Sequence, residues 1–281
     1  MVTSVENRNI VLAAIPRSGS TLSCHLLNQY DNCLAMIEPL DMAAFSALCD
    51  STERIAFLAD FFKQTRNQIR TSGKVPMMTL ANGATNTFAS SGLQGRSSSI
   101  TGTRWEKPEQ LISDDFTLII KHPNAFSALI GELKSAFFCY ALVRNPLAII
   151  ASWNTLDHPL RDGHAPMAEV FNTHLQLSLE ETDSSMKRQL LLLDWYFRRF
   201  RQALKPDRIL RYEDIIATGG AALSVISGAH TPVDIELTSH NQNGLYDDAQ
   251  SINTALALLD DRDNACWHFY SRNEVEQLAK L

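Results

Sequence analysis

Long apolar runs are missing from this sequence: no uncharged stretch approaches the ~18 residues that a membrane-spanning helix needs. The N-terminal "MVTSVENRNIVLAAIPRSG" has an apolar run that ends at Pro16, with no basic flank before it and no cleavage site after it, so it does not read as a secretory signal. Cysteine is scarce. The five present, Cys24, Cys33, Cys49, Cys139 and Cys266, are odd in number and form no CxxC pair, which argues against a disulfide framework or a zinc site and predicts reduced, buried thiols. Positive charge is in deficit too. A formal net charge of −6 argues against a general nucleic-acid or anionic-membrane surface, so any anion site must be local. What remains is a soluble, cytoplasmic, globular protein. Its 281 residues, 45% hydrophobic, suffice for a full core in a single domain spanning 1–281.

Against these absences stands an ordered alternation of apolar segments. Residues 9–15, "NIVLAAI", form a continuous run suited to a parallel strand buried on both faces, followed by a helix over about 20–29. Residues 43–70 carry apolar side chains at helical spacing, as one helix or two, closed by Gly73 and Pro76. Three further strand-length runs, "FTLIIKHP" (116–123), "FFCYALVRNP" (137–146) and "DRILRYEDI" (207–215), are separated by helical stretches at 124–135, 146–156 and 166–204, the last broken near Asp183. Such alternation predicts a mostly parallel central sheet covered by helices on both faces, a three-layer α/β/α architecture. The C-terminal stretch from about 253 also reads as helical. Residues 72–105, dense in Gly, Ser, Thr and Asn, read as loop with a small hairpin: a lid or substrate-binding insertion, or a surface excursion.

The first strand runs into "PRSGSTL" (16–22). At the start of the helix, the amides from Ser18 through Gly19, Ser20, Thr21 and Leu22 lack intrahelical partners, and the helix dipole favours an anion there. Arg17 adds a planar fork that can grip two anion oxygens. A nucleoside-triphosphate loop, GxxxxGK[ST], would have a lysine where this chain has Ser20 and a first glycine where it has Ala14. The turn fits phosphate but lacks the tool for ATP chemistry.

A second strand end, "LVRNPLAIIAS" (142–152), places Arg144 before Asn145 as helix cap and Pro146 at the first helical position. Ser152 lies two turns on, so Arg144 and Ser152 are expected to flank a second anion. Together, "PRSGSTL" and "VRNPLAIIAS", with "RYEDI" at 211–215, resemble the nucleotide motifs of the PAPS-dependent sulfotransferase family. The resemblance runs at scattered motifs through residues 9–216. It implies a P-loop NTPase-like sulfotransferase fold and 3′-phosphoadenosine 5′-phosphosulfate (PAPS) as co-substrate. Residues Arg17 to Leu22 would cradle the 5′-phosphosulfate, Arg144 and Ser152 would bind the 3′-phosphate, and no metal is required. The acceptor would be a hydroxyl or amine of a small-molecule, carbohydrate or lipid-like compound. The alternatives are a P-loop kinase of a small metabolite and a catalytically inactive nucleotide-binding protein.

Within that reading Arg17 stabilises the leaving phosphate and Lys121 assists on the sulfonyl oxygens. Glu38, in "MIEPLD", and His122, in "IIKHP", compete as the base. Adjacent side chains on a strand point to opposite faces, so if Lys121 faces the site, His122 should face away, which favours Glu38. Glu38 would then need burial to raise its carboxyl toward neutrality. Glu213 and Asp214 are expected to orient arginines. His158 and His164 read as surface residues or as lining of the acceptor pocket, and residues 239–246 as a flap over the nucleotide.

Overall fold

A computed structural model describes residues 8–80, 88–90, 96–98, 100–107, 112–228, 235–244 and 246–280. Strand β1 (Asn9–Ala14) is apolar along its length and is paired in parallel on both sides. It leads through the Pro16–Gly19 turn into helix α1 (Ser20–Leu27) and then into β2 (Cys33–Ile37). Strand β2, "CLAMI", is too short and too continuously apolar to carry a period of its own, and the sequence reading missed it. Helix α2 (Met42–Ser46) and helix α3 (Ser51–Ser72) follow. Asp50 caps α3 by accepting from the Glu53 amide at 2.9 Å, and Gly73, at φ 62°, ends it.

The Gly/Ser-rich stretch is more regular than the small hairpin expected of it. Strand β3 (Val75–Leu80) pairs antiparallel with β6 (Ile100–Glu106), and β4 (Phe88–Ser90) with β5 (Arg96–Ser98). Residues 81–87, 91–95 and 99 of that expected insertion lie outside the described residues.

The remaining elements are β7 (Thr117–Lys121), α4 (Pro123–Leu133), β8 (Phe138–Val143), α5 (Pro146–Asn154), α6 (Pro166–Val170), α7 (Thr173–Glu180), α8 (Ser185–Ala203) and β9 (Ile209–Arg211). Strand β9 stops earlier than the expected 207–215. Tyr212 opens α9 (Tyr212–Ala217), with Glu213 and Asp214 in its first turn, where carboxylates suit the helix dipole. Helices α10 (Ser224–Ser227), α11 (Asp248–Asp260) and α12 (Arg272–Ala279) complete the chain as described.

The five-stranded sheet is parallel throughout, in the order β2-β7-β1-β8-β9. Alternation along β1 divides the core in two. Val11, Ala13 and Ile15 join Phe62 of α3, Phe126 of α4, Ile149 of α5 and Phe197 of α8. Ile10, Leu12 and Ala14 join Cys24 and Leu27 of α1, Ile215 of α9 and Ile226 of α10. Helices therefore cover both faces, as the βα alternation predicts.

Because the strands are parallel, their carboxyl ends share one edge. The connection leaving β1 runs outward to β2, whereas the one leaving its neighbour β7 runs the other way to β8, and at such a reversal these sheets open a crevice. Among the described residues, no helix is long and apolar enough to cross a membrane. Four of the cysteines are buried as expected, but Cys49, in the loop before α3, is exposed.

Candidate active site

The turn after β1 is built by two left-handed residues. Ile15 donates from its amide to the Leu142 carbonyl at 3.0 Å, extending the sheet, and the Ser18 amide closes back on the Ile15 carbonyl at 3.0 Å. Reversal is then achieved at Arg17, φ 75°, and at Gly19, φ 82°. Positive φ at an arginine is costly and is found where surrounding structure over-determines the backbone. Here Trp153 Nε1 holds the Pro16 carbonyl at 2.9 Å. Gly19 has a second constraint: a Cβ there would lie 2.6 Å from Cδ2 of Tyr212.

The result is a helix start whose donors are unused. Among the described residues the amides of Gly19, Ser20, Thr21 and Leu22 meet no acceptor, and the fully buried Ser18 hydroxyl has no partner. Four aligned amides on a helix of eight residues, with an orphaned hydroxyl beside them, suit an anion.

The two arginine corners meet. Arg17 Nε donates to Ser152 Oγ at 3.3 Å, so Ser152 stands beside Arg17. The spacing predicts that Arg144 and Ser152 flank one anion. In the structure Arg144 Nη1 reaches the Arg17 carbonyl at 3.0 Å, its Nε reaches Asn241 Oδ1 at 2.8 Å, and its Nη2 reaches the His240 carbonyl. The guanidinium also lies 4.7 Å from the centre of the Tyr212 ring. The cause is the loop 239–244, which comes in from distant sequence and brings the Asn241 and His240 oxygens to the guanidinium; residue 245 of the expected flap lies outside the described residues.

Glu213 holds that arrangement. Its Oε1 accepts from Asn241 Nδ2 at 2.8 Å and from the Asn145 amide at 2.9 Å, and its Oε2 accepts from the Tyr270 hydroxyl at 2.8 Å. It thus orients Arg144 through Asn241, whereas Asp214 is exposed. Asn145 caps α5 as expected, accepting from the Leu147 amide at 3.0 Å.

At the ends of β2 and β7, Lys121 Nζ donates to Glu38 Oε1 at 2.7 Å. The register pairs Ile37 with Lys121, so Glu38 leaves the sheet directly beside the lysine and its amide donates to the Lys121 carbonyl at 2.8 Å. Glu38 itself adopts φ 51°. The lysine side chain is 2% exposed, and the carboxylate, at 41%, opens into the cavity. Sequence reasoning expected this carboxyl to be raised. Loss of water does push it up, but Lys121, then His122, outweigh that, and Glu38 is held below the ordinary carboxylate value.

His122 also differs from expectation, because it borders the same cavity as Lys121. The backbone stays extended at His122, φ −138° and ψ 101°, and its ring turns to the side opposite Lys121, 5.2 Å from the ring of Phe126; both residues still border the cavity because it opens across the strand ends. Its Nε2 accepts from the Leu40 amide at 3.2 Å, and burial pulls its pKa down to about 4. That hydrogen bond assigns the proton to Nδ1 and engages the basic nitrogen, so His122 is poorly placed to take a proton.

These groups face one cavity of about 690 Å³ at the carboxyl edge. It brings together Arg17, Gly19 to Leu22, Glu38, Lys121, His122 and Arg144, while Ser18 and Ser152 lie behind its wall. Several lining residues had no role in the sequence reading, among them His25, Met42, Asn124, Leu160, Met167 and Tyr212, while His240 falls in the 239–246 stretch read as a flap. Only the "RYED" context of Tyr212 could have signalled one of them. His158 lines the cavity, whereas His164 turns to Glu169 at 3.4 Å. No family model matches the chain, and no curated protein matches it.

Proposed function

We propose that this chain is a sulfotransferase of the P-loop-like type, moving the sulfonyl group of PAPS to an acceptor hydroxyl and releasing adenosine 3′,5′-bisphosphate. The observation that carries this reading is that one cavity joins an unpartnered helix-start turn to a lysine–carboxylate pair. The absence of a Walker lysine, with Ser20 in its place, separates the turn from those that handle a β,γ-phosphate.

In this mechanism the Gly19–Leu22 amides and Arg17 hold the 5′-phosphate and stabilise negative charge on its bridging oxygen as the sulfur–oxygen bond breaks. Lys121 leans on the sulfonyl oxygens. Glu38 takes the acceptor proton while the acceptor oxygen forms the new bond to sulfur. In the free site Lys121 depresses the basicity of Glu38. An incoming sulfonate draws on the same ammonium, so the carboxylate regains basicity when the donor is present. Arg144, already in contact with the turn, is the cation for the 3′-phosphate.

A thermal-shift comparison of adenosine 3′,5′-bisphosphate with magnesium ATP tests the reading. At 100 times its dissociation constant the bisphosphate adds about 2.7 kcal/mol of stability. Stabilisation by magnesium ATP alone refutes it in favour of a kinase. Bisphosphate binding without turnover on any acceptor, unchanged in Glu38→Ala, indicates a nucleotide-binding protein instead.

A further inference from the structure

The cavity narrows the chemistry of the acceptor. Its volume, about 690 Å³, has to take in the donor at the Gly19–Leu22 turn as well, which leaves room for a small acceptor only. The half that lies around Glu38 is apolar on one side. Met42 follows Glu38 on the same connection, Leu160 follows His158 in the next loop, and Met167 stands on α6, which packs against α4 just beyond Lys121. Two thioethers and an isobutyl group form an adaptable apolar wall.

Three polar side chains of the cavity each have an acceptor atom turned to the protein. Asn124 Oδ1 accepts the Tyr196 hydroxyl at 2.5 Å, His122 Nε2 accepts the Leu40 amide, and His158 Nδ1 accepts the Leu160 amide at 3.2 Å. Loss of water holds the His158 imidazole below its ordinary value, so it adds no charge near neutrality. Glu38 is the one carboxylate lining the cavity among the described residues, and it stands against the cations of Lys121, Arg17 and Arg144.

From this balance, and resting on the sulfotransferase reading above, we infer that the acceptor is a neutral alcohol with a largely apolar body. Its hydroxyl meets Glu38 and its body lies on Met42, Leu160 and Met167. A sugar would bury several hydroxyls against Met42, Leu160 and Met167, whose side chains offer them no strong hydrogen-bond partner, each at a cost. A protonated amine would enter a cavity in which cations outnumber the carboxylate, and an anionic acceptor would compete with the donor for those same cations.

The test is equilibrium binding to the full chain, with and without saturating adenosine 3′,5′-bisphosphate, of four probes: 2-naphthol, glucose, octylamine and octanoate. 2-Naphthol is expected to bind at least about tenfold more tightly than the others. Met167→Gln should weaken 2-naphthol by about tenfold, Met167→Leu should restore it, and neither should move the bisphosphate affinity. Equal or tighter binding of glucose, octylamine or octanoate overturns the inference, as does nucleotide binding without any 2-naphthol binding. Failure of the bisphosphate to bind counts against the sulfotransferase reading, and the nucleotide-free measurement still decides the apolar seat.

Discussion

Lys121 and Glu38 are 83 residues apart in the chain and 2.7 Å apart in space, joined because β2 and β7 are neighbours whose register ends on this pair. Neither strand alone has any use for a charge at its end. Side by side they make a lysine buried against a carboxylate that looks into the cavity, and the lysine holds that carboxyl below its ordinary value.

Removing the ammonium should reverse the shift of the carboxyl. In Lys121→Met the pull of the cation disappears while the loss of water remains, so the Glu38 pKa should rise above the ordinary carboxylate value. The linkage changes sign with it: in the parent the contribution of Glu38 is present above the unfolded carboxylate pKa and lost as pH falls, whereas in the variant it is lost as pH rises. Carbon-detected NMR titration of the Glu38 carboxyl reads this directly, and an unchanged midpoint would show that Lys121 does not control it.

Acid should destabilise the fold through His122. Its pKa falls from about 6.5 in the unfolded chain to about 4 when folded, so between those limits the unfolded chain binds the extra proton. Stability should be complete above pH ~7 and fall by about 3 kcal/mol on the way to pH ~4. His122→Gln keeps an acceptor for the Leu40 amide and should flatten that slope in urea unfolding curves recorded across the range. A slope identical to the parent's would remove His122 from the account.

Gly19 should tolerate no side chain. Gly19→Ala meets both the positive φ and the Tyr212 ring, and should cost roughly 2 kcal/mol or more while abolishing anion binding at the turn. Adding Tyr212→Ala relieves the contact but not the backbone, so the double variant should recover only part of the stability. Full recovery would mean that φ is not the limiting factor.

Arg66 should be a clasp rather than a functional residue. It is buried in the face covered by α3, where it donates to Asn9 Oδ1 at 2.8 Å, the Phe116 carbonyl at 2.9 Å and the Arg8 carbonyl at 3.1 Å, with its guanidinium 4.5 Å from the Phe116 ring centre. Arg66→Met leaves those acceptors unpaired and should cost about 3 kcal/mol in chemical denaturation, with bisphosphate affinity unchanged in the folded protein. A loss below ~1 kcal/mol would place the clasp elsewhere.

Much of the candidate site was legible because its local signals are complete within a few residues. Pro16 to Leu22 contains the small residues, the arginine and the following helix from which the structure builds an open helix start, and Asn145-Pro146 announces a capped helix start behind Arg144. Strand β2 was not legible, since five buried apolar residues have no period to read. The opposite facing of Lys121 and His122 was legible from strand alternation, but not that the cavity opens across the strand ends and so is bordered by both.

By itself the chain order of apolar runs and turns determined a βα-alternating architecture, because buried parallel strands and capped helices leave patterns that depend only on near neighbours. Which strands lie side by side was decided by tertiary packing, and with it the contact of Glu38 with Lys121, of Arg17 with Ser152, and of Arg144 with a loop almost a hundred residues away. Hydrogen bonds and charges act over a few ångströms, so their partners, and the direction in which they move a proton, exist only once the sheet has set its order.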